Sequence, residues 1–433
     1  MRINEASSRV SVFLYYFLYF VVFQFVYQKW VTDIYEYAGF LDLFQIEKFL
    51  FSLFFLFLLI FSIGKDNRPS NIFIHVGILI LFVPSAVLYA GGGAAWEFIF
   101  VTTLSFLIVS FSSRLIKLKP ISFNGLDDKK ILNSLVFFAC LHIVSVFSFG
   151  GGSYFNIDLS KVYDLREGAA EVLPGFYAYI NSAVSKTIIP FAVVMSLLQK
   201  RWIYLLMVSI CSFLIFALTQ HKAPIFVPIL VVAIYIMANG NIKRNLAFFL
   251  IAIVVVSGID FWLSEGNDRG VFGWFGSLFL RRTLLLPAEI NSLYIEFFSH
   301  TDKYYWADSK VTLGLLDPPY DLSAPRLIGQ NYGEAYFGTN EASANTGWIG
   351  SGFAQAGYLG IFIYSILLGV VFSFLNAYSK KIGGRIVIAL FAQQVIAALT
   401  ATDFLTLFIT HGLFLALILL ISMKPNLNSI ELK

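Results

Sequence analysis

Cysteine, histidine and charge are all scarce in this sequence, and each scarcity removes a class of protein. The two cysteines, Cys140 and Cys211, both fall within apolar runs, which excludes a disulfide framework and a cysteine-based metal site. Of the five histidines none has HExxH spacing, and no aspartate pair resembles a DxD metal-sugar site, so neither a metal nor an organic cofactor is expected. Only 13% of the 433 residues are charged, while 58% are hydrophobic and the mean hydropathy is +0.78. Those values lie far outside the range of a soluble globular domain. No basic stripe suits nucleic acid, and no internal repeat is strong enough for the inverted symmetry of secondary transporters.

What the sequence has instead is apolar runs near the ~20 residues that cross a bilayer. They lie at about 10–26, 49–63, 72–89, 98–111, 131–149, 188–198, 203–218, 225–237, 246–262, 356–375, 386–401 and 405–421. The expected fold is therefore all-α, a polytopic transmembrane helical bundle of about 12 spans. The run before Leu198 has room to begin as early as Pro174. The first run lacks a small-residue cleavage site after it and reads as a retained anchor.

Basic residues set the orientation, because cytoplasmic loops retain Lys and Arg. With the N-terminus inside, the inner loops carry Arg2 and Arg9, Lys65 and Arg68, the Arg114 to Lys130 cluster, Lys200 and Arg201, Lys243 and Arg244, Lys380, Lys381 and Arg385, and the tail lysines Lys424 and Lys433. Both termini are then cytoplasmic. The net charge of +4 follows from these loops and suits contact with anionic headgroups of the lipid bilayer.

Two enlarged periplasmic loops remain, 149–187 and 263–355. The smaller reads as a charge-mixed surface segment, or as a place where Lys161 and Arg166 meet an anionic ligand at the bilayer surface. The larger carries Arg281 and Arg282 inside an apolar run, where a guanidinium either snorkels to headgroups or pairs with a bound anion such as a substrate phosphate. Pro287 followed by AEINSLYIEFFS reads as a helix start, with Glu289 and Glu296 on one face.

From Asp317 to Gly360 the prolines and glycines predict a loop. Its Tyr320, Tyr332, Tyr336, Phe337 and Trp348 suit stacking on sugar rings, and Gln330, Asn331, Asn340 and Asn345 suit sugar hydroxyls; an interfacial aromatic belt is the plainer alternative. Arg326 is a further substrate cation in this stretch. Glu334, in GEAYFG, is a candidate general base toward a sugar hydroxyl, or merely solvated. The short outside turn LTQHKAPIF sets His221 beside Lys222, as a lysine anchor or as a pair for a pyrophosphate and its proton. His75, His142 and His411 stand alone within spans and read as packing residues.

The topology, with RRTLLLP after a hydrophobic span, HKAP at a short turn and GWIGSGFAQAGYLGIFIYSILLG leading into the next span, resembles the bacterial O-antigen polymerase (oligosaccharide repeat-unit polymerase) family. The arginine-x10-glycine pattern of some members is absent: eleven residues beyond Arg166, Arg269 and Arg326 stand Tyr177, Leu280 and Phe337. The resemblance implies an inner-membrane glycosyltransferase with a site facing the periplasm. It would move a growing glycan from one undecaprenyl diphosphate to the non-reducing end of another undecaprenyl-diphosphate-linked oligosaccharide, without metal, with a chain-length regulator protein as a possible partner. On that reading Arg281, Arg282 and Lys222 meet the diphosphate, and Glu334 or His221 is the base. Alternatives are an O-antigen ligase, a polyprenyl-phosphate-sugar glycosyltransferase using Asp33 and Glu36, and a lipid-linked oligosaccharide flippase.

Overall fold

A computed structural model describes residues 2–121, 125–158, 161–264, 273–309, 312, 314–337 and 339–424. Among these the chain is helical, without a strand. Eleven of the twelve apolar runs fall on one continuous helical segment each, because a peptide group in lipid must satisfy its own hydrogen bonds and the helix does so locally. Eight helices are long and apolar enough to cross a membrane: Arg9–Ala38, Pro69–Gly91, Trp96–Leu115, Asp128–Ser148, Tyr177–Leu198, Trp202–Thr219, Ile242–Ser264 and Trp348–Ile382. The run at 49–63 forms the 17-residue Ile46–Ser62, and Ala223–Met237 and Gly384–Thr400 have 15 and 17 residues. The last expected span is broken. Gly412, with φ +91°, separates Phe404–Ile409 from Leu413–Ser422.

Both expected loops contain regular structure. The smaller holds the Val162–Val172 helix and the start of the Tyr177–Leu198 span. The larger holds a continuous helical segment from Gly276 to Ser299 and the Ala324–Phe337 helix, and Trp348 already opens the next long helix. The prolines misled the loop expectation: Pro287 and Pro325 sit in first turns, where the missing N–H is no loss. Gly329 and Gly333 are there for close approach, since a Cβ on either would strike the backbone of Ala342 or Thr339.

The chain divides into two compact units: 1–117 with 240–373 and 396–405, and 118–239 with 374–395 and 406–433. In the first, Pro69–Gly91 is central, 94% of its apolar window being enclosed by the other helices. Arg2–Val26 packs along Ile242–Ser264, and Val26 and the following Trp30 come up against Gly258. Small residues serve this way between apolar helices, where dispersion rather than water exclusion draws the surfaces together. Arg9 donates to the carbonyls of Phe61 and Ile63, Arg114 to that of Ser62, and Lys243 to that of Lys65 at 2.9 Å. Three basic side chains from separate segments thus gather at one end of the unit, on or just beyond the negative C-terminus of Ile46–Ser62.

In the second unit Tyr177–Leu198 packs against the Asp128–Ser148, Trp202–Thr219 and Ala223–Met237 helices. One end is tied by Gln199 Nε2 to the Asp128 carbonyl at 3.0 Å and by Arg385 to Tyr235 and Asn239. The thiols of Cys140 and Cys211 are free, their Sγ atoms 3.8 Å apart.

Candidate functional site

In the first unit the paired arginines lie on a ten-residue π-helix, Gly276–Leu285, that runs directly into the α-helix Leu286–Ser299. Its start is fixed by Asp260, whose carboxylate accepts from the Gly276 N–H at 2.8 Å, and by Phe261, whose ring fills the space a Cβ at 276 would need. π turns are rare and recur at functional positions. The Arg281 guanidinium rests 4.5 Å above the Tyr35 ring and donates to Ser277 Oγ at 3.2 Å. Its Nε–H is buried without a partner among the described residues, a cost of about 1–3 kcal/mol that a bound acceptor would relieve. Arg282 beside it is exposed.

Glu289 and Glu296 follow at intervals of about two turns along the same helical segment. Glu289 makes no hydrogen bond or ion pair among the described residues; it is ringed by protein, yet a water-sized probe reaches it. Its charge is felt by Tyr27. Burial first, and then the charge of Glu296, push its carboxyl up to about 8. Tyr332, on the Ala324–Phe337 helix, is hydrogen-bonded to Glu296 and meets Phe297 edge-on at 6.4 Å. Burial and that carboxylate raise its hydroxyl above the usual tyrosine range.

The remaining first-unit candidates are scattered. Glu334 is exposed on its helix, and Arg326 is exposed and donates to the Glu341 carbonyl at 2.8 Å. The side chain of Tyr336 lies outside the described residues. Asn345 is exposed, its amide 3.5 Å from the Ser343 carbonyl. Trp348 is wholly enclosed: its indole N–H donates to Ser365 Oγ at 3.0 Å and its ring meets Phe106, so it belongs to the core. A groove of about 540 Å³ bounded by Leu107, Phe111, Phe362 and Arg114 is apolar and carries no group of this face.

The second unit gathers cations. Gln220, in the left-handed region at φ 57°, is fully buried and anchors the turn that presents His221: its amide donates to the Tyr154 carbonyl at 3.0 Å and accepts from Asn156 at 3.1 Å. Arg166 stands exposed on Val162–Val172, which packs against the helix that ends at Thr219. Lys186 lies on Val184–Ile188, one of four π segments among the described residues, the others besides Gly276–Leu285 being Tyr27–Val31 and Ile78–Phe82; it packs against the helices that begin at Ala223 and Leu413. Its backbone is pinned, with Gln394 Nε2 donating to the Lys186 carbonyl and to Thr187 Oγ1, both at 2.7 Å, and Thr187 donating to the Gly412 carbonyl at 3.1 Å. His411, beside Gly412, is 2.9 Å from Thr410 Oγ1 through Nδ1.

Burial, then the charges of Arg166 and Lys186, lower His221 to about 4. The His221 imidazole is therefore neutral at pH 7. Among the described residues no carboxylate is among the charges that act on His221, and Arg166, Lys186 and His221 have no hydrogen-bonded or ionic side-chain partner there. Lys222 is half-buried at the start of the next helix, and Lys161 is exposed at the start of the Arg166 helix.

Compared with protein-family models, with curated proteins and with solved structures, the chain matches none.

Sequence reasoning missed three residues of these two clusters. Lys186 sits at the edge of an apolar run, and its signal was a cation followed by threonine just before the hydrophobic stretch. His411 read as packing because the break at Gly412 was hidden in a continuous apolar run. Glu289 was read only as a helix face, although a carboxylate among Leu, Ala, Ile and Leu is itself a functional signal. A fourth group went unread: Asp308 accepts from Gln355 at 2.9 Å, Gln355 accepts from the Trp306 N–H at 2.7 Å, and the Trp306 indole reaches Tyr364, which donates to Asp403 at 2.9 Å. Tyr305 and Trp306 both hold left-handed backbone there, at φ 48° and 64°.

Proposed function

We propose that the chain is a polymerase of a lipid-linked surface polysaccharide. It would transfer a growing glycan from one undecaprenyl diphosphate to the non-reducing end of a repeat unit held on another, at the periplasmic face of a bacterial inner membrane. The observation that carries the reading is the presence, in each unit, of cations without carboxylate partners among the described residues: Arg281 in the first, and Arg166 and Lys186, with the neutral His221 beside them, in the second. Polymerisation uses two lipid-diphosphate substrates, and each needs fixed cations at the bilayer surface. A ligase, with a single diphosphate donor, calls for one such cluster. A flippase calls for a charged central cavity instead.

The chemistry follows from these groups. Guanidinium and ammonium charges offset the negative charge that grows on the departing diphosphate, the part a bound divalent ion plays in other transferases. Neutral His221 beside two cations donates to phosphate oxygens and gains affinity for a proton once the anion is bound. Arg281, held over the Tyr35 ring, carries the planar fork of donors that suits two-pronged contact with phosphate. About twelve spans with both termini cytoplasmic suit this arrangement, and the gathering of Arg9, Arg114 and Lys243 at one end of the first unit supports that orientation.

Deleting the gene tests the reading in cells. A polymerase predicts lipopolysaccharide bearing a single repeat unit, restored to a ladder by the wild-type gene. Complete loss of surface glycan would assign a flippase or ligase instead, and an unchanged ladder would remove the chain from glycan assembly.

A further inference from the structure

We infer that the break in the last expected span is a site for a sugar hydroxyl, with His411 Nε2 as the atom that accepts its proton. Every residue concerned lies in the second unit. The inference rests on the polymerase reading and adds to it the base that acts on the acceptor glycan.

The break is built into the backbone. Gly412 holds φ +91°, and a Cβ there would strike Thr187 Oγ1, so neither the conformation nor the space admits a side chain. Thr187 donates to the Gly412 carbonyl at 3.1 Å, while Gln394 Nε2 donates at 2.7 Å both to Thr187 Oγ1 and to the Lys186 carbonyl. Hydrogen bonds thus fasten the start of Leu413–Ser422 to the π segment Val184–Ile188. No side chain caps that helix, so its first-turn N–H groups have no intrahelical partner. Such irregular backbone within an apolar run is tolerated where it lines a site.

Two acceptors at the break lack a donor. Gln394 is 1% exposed, and both hydrogens of its Nε2 are engaged while its Oε1 has no partner among the described residues. The other acceptor is on His411, which is half-buried. Thr410 Oγ1 gives its single hydrogen to the Thr406 carbonyl at 2.9 Å, so the 2.9 Å contact with His411 Nδ1 is a donation from the ring. Nε2 then carries the lone pair, and no donor meets it among the described residues. The chain from carbonyl to threonine hydroxyl to imidazole fixes tautomer and ring plane, as the orienting partner of a catalytic histidine does.

A hydroxyl satisfies both sides of this site. Its hydrogen meets a bare acceptor, and its oxygen accepts from a first-turn N–H. A fully ionised anion brings no hydrogen to Nε2 or Oε1. In the step, the hydroxyl oxygen bonds to the anomeric carbon of the donor glycan as the bond from that carbon to the diphosphate oxygen breaks. The bonding pair leaves with the diphosphate, and the hydroxyl proton passes to His411 Nε2, which later yields it to water. Thr410 is a positioning residue for that transfer.

The experiment uses the full chain purified into lipid nanodiscs and supplied with lipid-linked repeat units extracted from the deletion strain. His411→Gln should slow polymer formation by about 100-fold or more. Thr410→Val should cause a smaller loss that Thr410→Ser restores, and histidine ¹⁵N spectra should show a proton on Nδ1 and none on Nε2 in the wild type, with that preference lost in Thr410→Val. On the wild-type protein, diethyl pyrocarbonate should label His411, read by mass spectrometry, and the lipid-linked repeat units should shield it. A near-wild-type rate in His411→Gln, or equal labelling with and without these lipids, would overturn the base and leave the polymerase reading standing. The opposite tautomer would do the same. An unchanged ladder in the deletion strain would overturn both. Where His411→Gln fails to fold, the labelling of the wild type decides.

Discussion

The first unit follows Arg281 with Glu289 and Glu296 along one helical segment, whereas among the described residues of the second unit the charges that act on His221 are those of Arg166 and Lys186. Each arrangement is costly near apolar surface, and the two costs are met differently. Arg281 is held by an aromatic face and one hydroxyl, with one N–H left over. In the second unit the His221 imidazole is kept neutral, so that Arg166 and Lys186 are not joined by further positive charge. Neutral histidine is the economical companion for fixed cations, because it adds donors without adding repulsion. A bound anion then draws a proton onto the ring, so binding and protonation are linked.

The largest effect should come from breaking the second-unit cluster. Arg166→Ala and Lys186→Ala together should reduce polymer by about 100- to 1000-fold, read as loss of the lipopolysaccharide ladder at unchanged protein level. A ladder of normal length in that double variant would remove the second unit from diphosphate binding. Arg281→Ala should also abolish polymer, and Arg281→Lys should rescue it only partly, since an ammonium keeps the charge and loses the planar fork.

The linkage of His221 gives a smaller and more diagnostic effect. Its ordinary value of 6.5 is lowered to about 4, so the ring is neutral before an anion arrives. Pyrophosphate affinity, measured by calorimetry, should therefore strengthen as pH falls from about 7 toward about 5, and this pH dependence should be blunted in His221→Gln. An unaltered pH slope in that variant would separate His221 from the anion.

Glu289 offers a stability test with the opposite sign. Its folded value, about 8, stands above its ordinary 4.5, so the unfolded chain loses its proton first as pH rises. This contribution to stability is complete below about 4.5 and is lost as pH rises to about 8. Glu289→Gln should accordingly melt at higher temperature than wild type at pH 8, the gap closing near pH 5. The smallest effect should be that of Glu334→Gln, which alters an exposed carboxylate; chain length should be close to normal, and a shortened ladder would return Glu334 to the site.

The helices were legible because the apolar runs are long, and lipid leaves the backbone few ways to satisfy itself. The helix begun at Pro287 was legible for a local reason, since proline in a first turn is a positive signal. The helix at Ala324–Phe337 was not, because its glycines read as breakers when their use is close approach to Ala342 and Thr339. Of the site, the exposed cations could be named from topology alone. Lys186 and His411 could not be paired, since 225 residues of sequence separate Thr187 from Gly412, the contact that brings their neighbours together. The enclosure of Trp348 was likewise invisible: a tryptophan in a glycine-rich stretch looks interfacial until Ser365 and Phe106 close over it.

The π segments have a consequence for register. Arg281 and Lys186 both stand on one, and a π turn holds roughly one residue more than an α turn. Such a segment works as a phase shifter. Removing a single residue between Gly276 and Leu285 would let the helix return to 3.6 residues per turn and rotate everything beyond it by about 100° relative to what precedes it. Asp260 would still hold the start of the helix, while Glu289 and Glu296 would swing to a different face. One-residue deletions there should therefore be far more damaging than point substitutions at the same positions, and compensating one-residue insertions a turn later should restore function.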